Sequence, residues 1–404
     1  MVPQLGARNT VHLLQCGAEF FPALVQAIDG GKTEVRLETY IFYFDATGQR
    51  IAQALVRAAQ RGVQVYLVMD GIGTPEVPLP WQQLFADAGV QWHRFSPLGR
   101  LGLLVPMRWR RLHRKLCVVD GQVAFCGGIN ILDDLVDPVF GTLEIPRLDF
   151  AVRVTGTLVE QVQVTMAQFW RRLELTRHIG QMQFKNARQL WEEAGDSIGM
   201  SPLGVREDLP GMRVSHAALV LRDNVRNRSR IERAYRKAIA RAKEEVVIAN
   251  AYFLPGGKLR RALVHAARRG VRVRLLLQGR YEYFMQYHAA RPVLLALLNA
   301  GVEINEYRDG FLHAKVAVVD SQWATVGSSN LDPLSLLLAR EANVVVEDAV
   351  FAQELRGRLQ LAIEKHSAAL DIERYSARPW IQHLLDWVAY GAMRCLLFLT
   401  GRRY

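Results

Sequence analysis

Two stretches decide how this chain is read: His113–Asn130, HRKLCVVDGQVAFCGGIN, and His313–Asn330, HAKVAVVDSQWATVGSSN. Both run His-x-Lys, then four residues to Asp, six more to Gly and two more to Asn. Five fixed residues at fixed spacing arise by chance in about one chain of this length in ten thousand, so two matching copies are no accident. Strand alternation turns His113 and Lys115 to one face, and the apolar Leu116–Val119 hold that strand in a core. Asp120-Gly121 reads as a turn into the next strand, Val123–Cys126. The small pair Gly127-Gly128 admits a phosphate close to the backbone, and the Asn130 amide can donate to the same anion. In the second copy His313, Lys315, Asp320 and Asn330 take these places, with the Ser328 hydroxyl where the first has Gly128.

The repeat extends outward from the motifs. AIDGGKTEVRLETYIF from Ala27 and RAAQRGVQVYLVMDG from Arg57 are answered by AIARAKEEVVIANAYF from Ala238 and HAARRGVRVRLLLQG from His265. Each copy reads helix, strand, helix, strand, and the nearly continuous apolar runs Val63–Met69 and Val271–Leu277 are those of parallel strands covered on both faces. Two copies are too few for a solenoid. They predict an α/β protein of two similar lobes, each a mixed β-sheet flanked by helices, in a pseudo-two-fold arrangement with the active site at the lobe interface. At 404 residues the chain exceeds one core. The polar, Gly/Pro-rich stretch around 187–211 divides it into an N-terminal lobe, 1–200, and a C-terminal lobe, 201–375, followed by a segment 376–404.

The composition, 50% hydrophobic and 22% charged, is that of a folded protein, and the net charge of +12 favours polyanionic partners, nucleic acid or an anionic membrane. Cys16, Cys117, Cys126 and Cys395 form no C-x-x-C pair, and the histidines form no H-E-x-x-H, so no metal site is expected. The first twenty residues lack the apolar core of a secretory signal, which makes the cytoplasm the default compartment.

Phosphodiester cleavage needs an in-line nucleophile, a proton donor for the departing alkoxide, and cations for the charged oxygens. Two imidazoles, two ammonium groups and two amides brought from two lobes meet that need with no cofactor. An imidazole nucleophile gives a phosphohistidine and splits the reaction into two displacements. The second imidazole serves first as acid and then as base. The residues alone leave the two histidines interchangeable. A carboxylate behind each would fix its tautomer. Asp149 and Glu341, opening the similar segments DFAVRV and EANVVV, are candidates alongside Asp120 and Asp320, which serve equally well as turn residues. The remaining histidines read as packed or solvent-facing side chains.

The paired motifs resemble the phospholipase D superfamily, and the resemblance extends along nearly the whole chain to bacterial cardiolipin synthases of the shorter type, which lack N-terminal membrane spans. LETYIF, ANAYFLPG, RALVHAARRGVRV and WATVGSSNLDPLSLLLAREANV carry it beyond the motifs. The resemblance implies that His113 is the nucleophile and His313 the acid/base. It further implies transfer of a phosphatidyl group from one phosphatidylglycerol to another, giving cardiolipin and glycerol. A phospholipase D that passes the group to water shares the phosphohistidine and stands as the alternative, with a nuclease behind it.

Three segments bear on the substrate. Gly99–Arg111, GRLGLLVPMRWRR, mixes apolar residues with arginines and suits either contact with lipid or packing on its own lobe. The aromatics Tyr281, Tyr283, Phe284 and Tyr287 do not discriminate lipid tails from bases. Pro379–Tyr404 is apolar but interrupted by Gln382, Asp386 and Arg394, with Trp380, Trp387 and Arg402-Arg403 placed as in a helix lying in the headgroup region. The expectation is therefore an anionic phospholipid membrane as partner, with phosphatidylglycerol and cardiolipin as its lipids. No nucleic acid is expected, and the location is peripheral, on the cytoplasmic face of the inner membrane.

Overall fold

The structure, a computed structural model, describes residues 6–98, 106–137, 140–180, 215–223, 227–280, 284–332, 339–371, 373 and 378–399. The first half forms β1 (Gly6–Gln15), β2 (Glu34–Thr39), β3 (Gln64–Asp70), β4 (Gln91–Phe95), β5 (Arg111–Leu112), β6 (Lys115–Val119), β7 (Val123–Gly127), β8 (Val136–Asp137), β9 (Gly141–Thr142) and β10 (Phe150–Gly156). Its helices are α1 (Cys16–Gly30), α2 (Ala46–Gln60), α3 (Leu79–Ala88) and α4 (Thr157–Gly180). The second half forms β11 (Ser215–Arg222), β12 (Glu245–Asn250), β13 (Arg272–Gln278), β14 (Glu303–Tyr307), β15 (Lys315–Val319), β16 (Trp323–Gly327), β17 (Ala339–Glu347) and β18 (Ser367–Ala369). With them come α5 (Arg230–Arg241), α6 (Gly257–Arg268), α7 (Phe284–Leu298), α8 (Ala349–His366) and α9 (Trp380–Leu399).

Outward from its centre the main sheet reads β1-β10-β7-β6-β2-β3-β4 in one direction and β11-β17-β16-β15-β12-β13-β14 in the other. The halves meet at the antiparallel β1–β11 pair, so a pseudo-two-fold axis passes there and both lobes share one 16-stranded mixed sheet. The lobe boundary expected at 200/201 lies outside the described residues. Period-2 alternation sorts each motif strand: Leu116, Val118, Val316 and Val318 enter a core shared by both lobes under α4 and α8. Cys117 and Val119 pack under α1 and α2, and Ala317 and Val319 under α5, α6 and α7. His113 and Lys115 belong to this second face, as do His313 and Lys315. The shared core makes the lobes one folding unit on one face, while on the opposite face each lobe keeps a core of its own.

Helix α9 docks on α7 with Asp386 inward. Asp386 is buried and meets His288 Nδ1 at 2.5 Å and Arg378 at 3.4 Å. Asp386 therefore faces the protein and not the headgroups, because a buried carboxylate needs partners that only the lobe provides, whereas Arg394 is exposed. The opposite side presents Trp380, Ile381, Leu384, Leu385, Trp387 and Val388, 40–72% exposed. No helix among the described residues is long and apolar enough to cross a membrane.

Candidate active site

Each motif histidine sits just before a central strand, β6 or β15, and each is strapped to the other lobe. The His113 amide donates to Arg340 O at 3.0 Å, and the His313 amide donates to Leu148 O at 2.9 Å. The next residues along those straps are the two carboxylates: His113 Nδ1 lies 3.0 Å from Glu341, and His313 Nδ1 lies 2.6 Å from Asp149. The cross-lobe exchange leaves neither lobe with a complete histidine–carboxylate pair of its own. Pairing at Nδ1 fixes the tautomer and turns Nε2 of each ring away from its carboxylate.

Burial sets the electrostatics. It pushes both imidazoles below their ordinary range, His313 furthest, with both lysines adding to the effect at His313. Asp149 is pushed up to about 7 by burial, against the pull of Lys315. Glu341 suffers the same burial, but His113 and Arg222 outweigh it and hold its carboxyl below the usual range. Lys115 is drawn down to about 7, first by burial and then by Lys315 across the site. Both ammonium groups donate to the carbonyl of their own histidine, Lys115 at 2.8 Å. Two buried cations repelling one another make a site that an anion would relieve. The Tyr40 ring lies 4.9 Å from that of His113, and Lys115 Nζ stands 5.5 Å from its centroid.

The other expected residues fall elsewhere. Asp120 and Asp320 close the far ends of β6 and β15, about 20 Å along the strand from the histidines. Asp120 accepts from the amides of Lys32, Thr33 and Glu34 and from the Thr33 hydroxyl at 2.8–2.9 Å. Asp320 accepts from the amides of Lys243, Glu244 and Glu245 over the same range. Their place is the turn, not the reacting centre. Ser328 is also turned from the site: its Oγ donates to Glu341 and accepts from the Ala342 amide at 3.1 Å. Gly128 answers a packing demand, since a Cβ there would stand 2.3 Å from an Asp149 carboxylate oxygen. Asn130 Oδ1 accepts from the Ile41 amide at 3.2 Å, whereas Asn330 Oδ1 is buried with no hydrogen-bond partner among the described residues.

Three residues that the structure places beside the motif pairs were not singled out in the sequence. Arg222, which lies opposite Glu341 in the sheet, is signalled only by an arginine closing the apolar run of β11. Tyr40 and Asn250 stand in quoted segments of the repeat, where they face Ala251 and Thr39 in the other copy. That mismatch between copies was the available signal. Of the segments that bear on the substrate, residues 99–105 and 281–283 lie outside the described residues, and Arg111 is bound to Asp70 at 3.0 Å.

The family model described as "Cardiolipin synthase, PLD-like domain" matches residues 24–137 and 235–361. Cardiolipin synthase B of Escherichia coli (strain K12) is 37% identical over 393 residues, which is 97% of this chain and 90% of that one. Cardiolipin synthase of Alkalihalophilus pseudofirmus is 29% identical, over 93% of this chain and 70% of its own length. Among solved structures, phosphatidylserine synthase of Haemophilus influenzae shares the fold, with a TM-score of 0.67 at 15% identity, over 97% of this chain and 96% of that one. On these matches and the paired motifs, the chain belongs to the cardiolipin synthase family, an enzyme group of the phospholipase D superfamily.

Proposed function

We propose that this protein is a phosphatidyltransferase that makes cardiolipin and glycerol from two phosphatidylglycerol molecules through a phosphohistidine. The observation that carries the reading is the pair of partly buried imidazoles, each held at Nδ1 by a buried carboxylate of the opposite lobe, beside two buried lysines. With Glu341 ionised and accepting from Nδ1–H, His113 Nε2 carries a free lone pair for attack on phosphorus. The P–N bond forms as the bond to the glycerol oxygen breaks, and that oxygen takes a proton from His313 Nε2. Asp149, with its carboxyl near 7, keeps the His313 pair supplied with that proton. In the second half the hydroxyl of another phosphatidylglycerol returns a proton to His313 and displaces His113. Lys115 and Lys315 neutralise the phosphoryl oxygens, and the amides of Asn130 and Asn330 donate to them. The product named for the Escherichia coli relative supports the same reaction.

The test is incubation with phosphatidylglycerol vesicles followed by separation of the lipids, beside His113→Ala and His313→Ala. Wild type is expected to form cardiolipin and both variants to lose it. After a rapid quench, labelled phosphatidyl-enzyme should accumulate with His313→Ala and be missing with His113→Ala. Phosphatidic acid as the sole product would make the enzyme a hydrolase, and cleaved DNA with intact lipid would sink the lipid reading.

The outward face of α9 supports a membrane as the place of action. Two tryptophans and four aliphatic side chains form one apolar stripe, with the exposed Arg394 near one end and a net charge of +12 behind it. Such a face lies in the headgroup boundary of an anionic bilayer, and each arginine near that surface adds about 1 kcal/mol. Replacing Trp380, Leu384 and Trp387 together by Ser should release the protein from phosphatidylglycerol vesicles in a flotation assay. Unchanged flotation would reject this face as the contact.

A further inference from the structure

The two copies differ in length beside the histidines. Eighteen residues, 131–148, lead from Asn130 to Asp149, whereas ten, 331–340, lead from Asn330 to Glu341. The longer segment of the first copy reaches across to the second lobe, next to His313. Phe140 stacks on Phe311 with centroids 5.2 Å apart, and the Leu148 amide donates to Phe311 O at 2.8 Å. Ile145 packs so closely on Gly310 that a Cβ there would stand 2.7 Å from Ile145 Cγ1.

Two charged side chains come with this segment. Leu148 pairs with Leu312 as in a strand and enters the shared core, so Arg147 and Asp149 on either side of it turn toward the motif face. The Arg147 side chain is 11% exposed; its Nη2 is held by Asp137 at 2.9 Å, and its Nη1 is buried with no hydrogen-bond partner among the described residues. A guanidinium so placed acts through the protein interior, where charge is screened less than in water. The Arg147 amide donates to Asp134 O at 3.1 Å, and the Asp134 carboxylate accepts from the Gly17 amide. Gly17 follows Cys16, whose own amide donates to Asp149 O at 2.9 Å. The first turn of α1 therefore holds Asp134 close to Asp149. Leu334, four residues after Asn330, and Ale339 are replaced in this role by nothing charged: the second copy has an apolar residue at each position.

We infer that Asp134 and Arg147 are positioning residues of the acid–base pair, and that the longer segment makes His313, not His113, the proton carrier. The inference rests on the phosphatidyltransferase reading above. Asp134 is raised to about 6 by burial, against the Gly17 amide and Arg147. It is therefore charged where Asp149, near 7, exchanges its proton, and that charge keeps the proton on Asp149. Arg147 adds to Lys315 and Lys115 in driving a proton off the His313 ring. Both groups thus move the resting proton from imidazole to carboxylate, across a contact of 2.6 Å. From Asp149 it passes to His313 Nδ1 as the Nε2 proton goes to the departing glycerol oxygen, and it returns when the next alcohol gives up its own. The remaining neighbours do not supply this bias. Lys315, 4.0 Å from Asp149, and Lys115 and His113 across the site are shared by both copies, and burial raises the Cys16 thiol to about 12, so it stays neutral. Asp133, on the same segment, adds to the proton affinity of Asp134. Glu341 has Arg222 in place of a second carboxylate and stays ionised.

The experiment is the pH profile of kcat/KM for cardiolipin formation from phosphatidylglycerol vesicles, in Asp134→Asn, Arg147→Gln and Arg147→Lys. Asp134→Asn keeps an oxygen for the Gly17 amide but removes the charge, so the falling limb near pH 7 should move to lower pH by about half a pH unit or more. Arg147→Gln should move it to higher pH by a similar amount. Arg147→Lys keeps the charge and should leave the limb near its wild-type position. A role in packing alone would lower the melting temperature without driving the two limbs apart. Phosphatidyl-enzyme should still form from a p-nitrophenyl ester of phosphatidic acid, whose leaving group needs no proton, and this reports an intact fold. Limbs that stay in place, or that move in one direction in both charge-removing variants, would overturn the inference alone, as would loss of that labelling. Failure of wild type to form cardiolipin would overturn the reaction on which the inference depends, and the inference with it.

Discussion

The two halves of the site use different chemistry to do similar work. Glu341 has a long side chain, a hydroxyl from Ser328, a positive neighbour in Arg222 and a charge that survives burial. Asp149 has a short side chain, the amide of Phe150 at 2.8 Å, a glycine where the other copy has serine, and a carboxyl near 7. One fold repeated twice therefore yields one pair held ionised and one pair that retains a proton. A symmetric duplicate would offer two equal nucleophiles. In the reaction proposed above, that difference would let one histidine attack while the other manages the proton.

The comparison breaks most severely if the carboxylates are neutralised. Asp149→Asn and Glu341→Gln should each lower the rate by ~10²–10⁴-fold, because an amide can no longer hold the imidazole in its working tautomer and charge. The two losses should fall at different stages. Glu341→Gln should slow formation of the phosphatidyl-enzyme from any lipid. Asp149→Asn should spare a donor with a good leaving group such as p-nitrophenol, which needs no protonation. Equal loss with both donors in both variants would end the division of labour.

The pH dependence follows from the same asymmetry. Asp149 has been raised to about 7, so the His313 pair keeps its proton below that pH and sheds it above. Lys115, lowered to about 7, loses its charge in the same direction. His113 is depressed below its ordinary value and stays an unprotonated nucleophile at neutral pH. The profile of kcat/KM, which reports the free enzyme, should be level just below neutrality and fall as pH rises beyond about 7. A profile that rises through pH 7 would assign the proton to the wrong pair.

Ser328→Ala tests the support of one carboxylate alone. Removing a hydrogen bond to a buried charge is worth about 1.5–3 kcal/mol, and part of it should appear as an activity loss of about tenfold. The companion Gly128→Ala crowds Asp149 instead of freeing it. A shift in the pH profile with Ser328→Ala, alongside the lower melting temperature that the lost hydrogen bond brings, would mark the serine as a positioning residue for Glu341.

Much of this was legible in the chain. The His-x-Lys spacing placed both pairs on one face of their strands, and the repeat gave the palindromic sheet its two halves. What could not be read was the crossing of the straps. Asp149 and Glu341 open similar stretches of their own copies, and nothing local tells them to serve histidines 164 and 228 residues away. That exchange depends on the antiparallel β1–β11 junction, a long-range contact. Ser328 was misplaced for a related reason. A hydroxyl in a glycine-rich turn looks like a phosphate ligand until the partner carboxylate is seen beneath it. The orientation of α9 hinges on His288, almost a hundred residues from the aspartate it buries.

The smallest expected effect sharpens the comparison away from the chemistry. Both β-turns after the motif strands use two consecutive left-handed residues: Asp120 and Gly121 at φ +53° and +62°, and Asp320 and Ser321 both at +50°. Glycine adopts that backbone freely, whereas a serine there carries strain of about 1–2 kcal/mol, offset in part by the larger entropy of an unfolded glycine. Ser321→Gly should therefore stabilise the protein by ~0.5–1 kcal/mol in a denaturant titration. Gly121→Ser should destabilise it by a similar amount, since the tip of the flexible Gln163 side chain, 2.7 Å from the new Cβ, can move aside. Neither should change turnover, since Asp120 and Asp320 still hold their amides and the histidines lie at the other ends of β6 and β15. A loss of activity in Ser321→Gly would mean that the turn reaches the site through the strand, and it would restore to these two aspartates a part in catalysis that their position denies them.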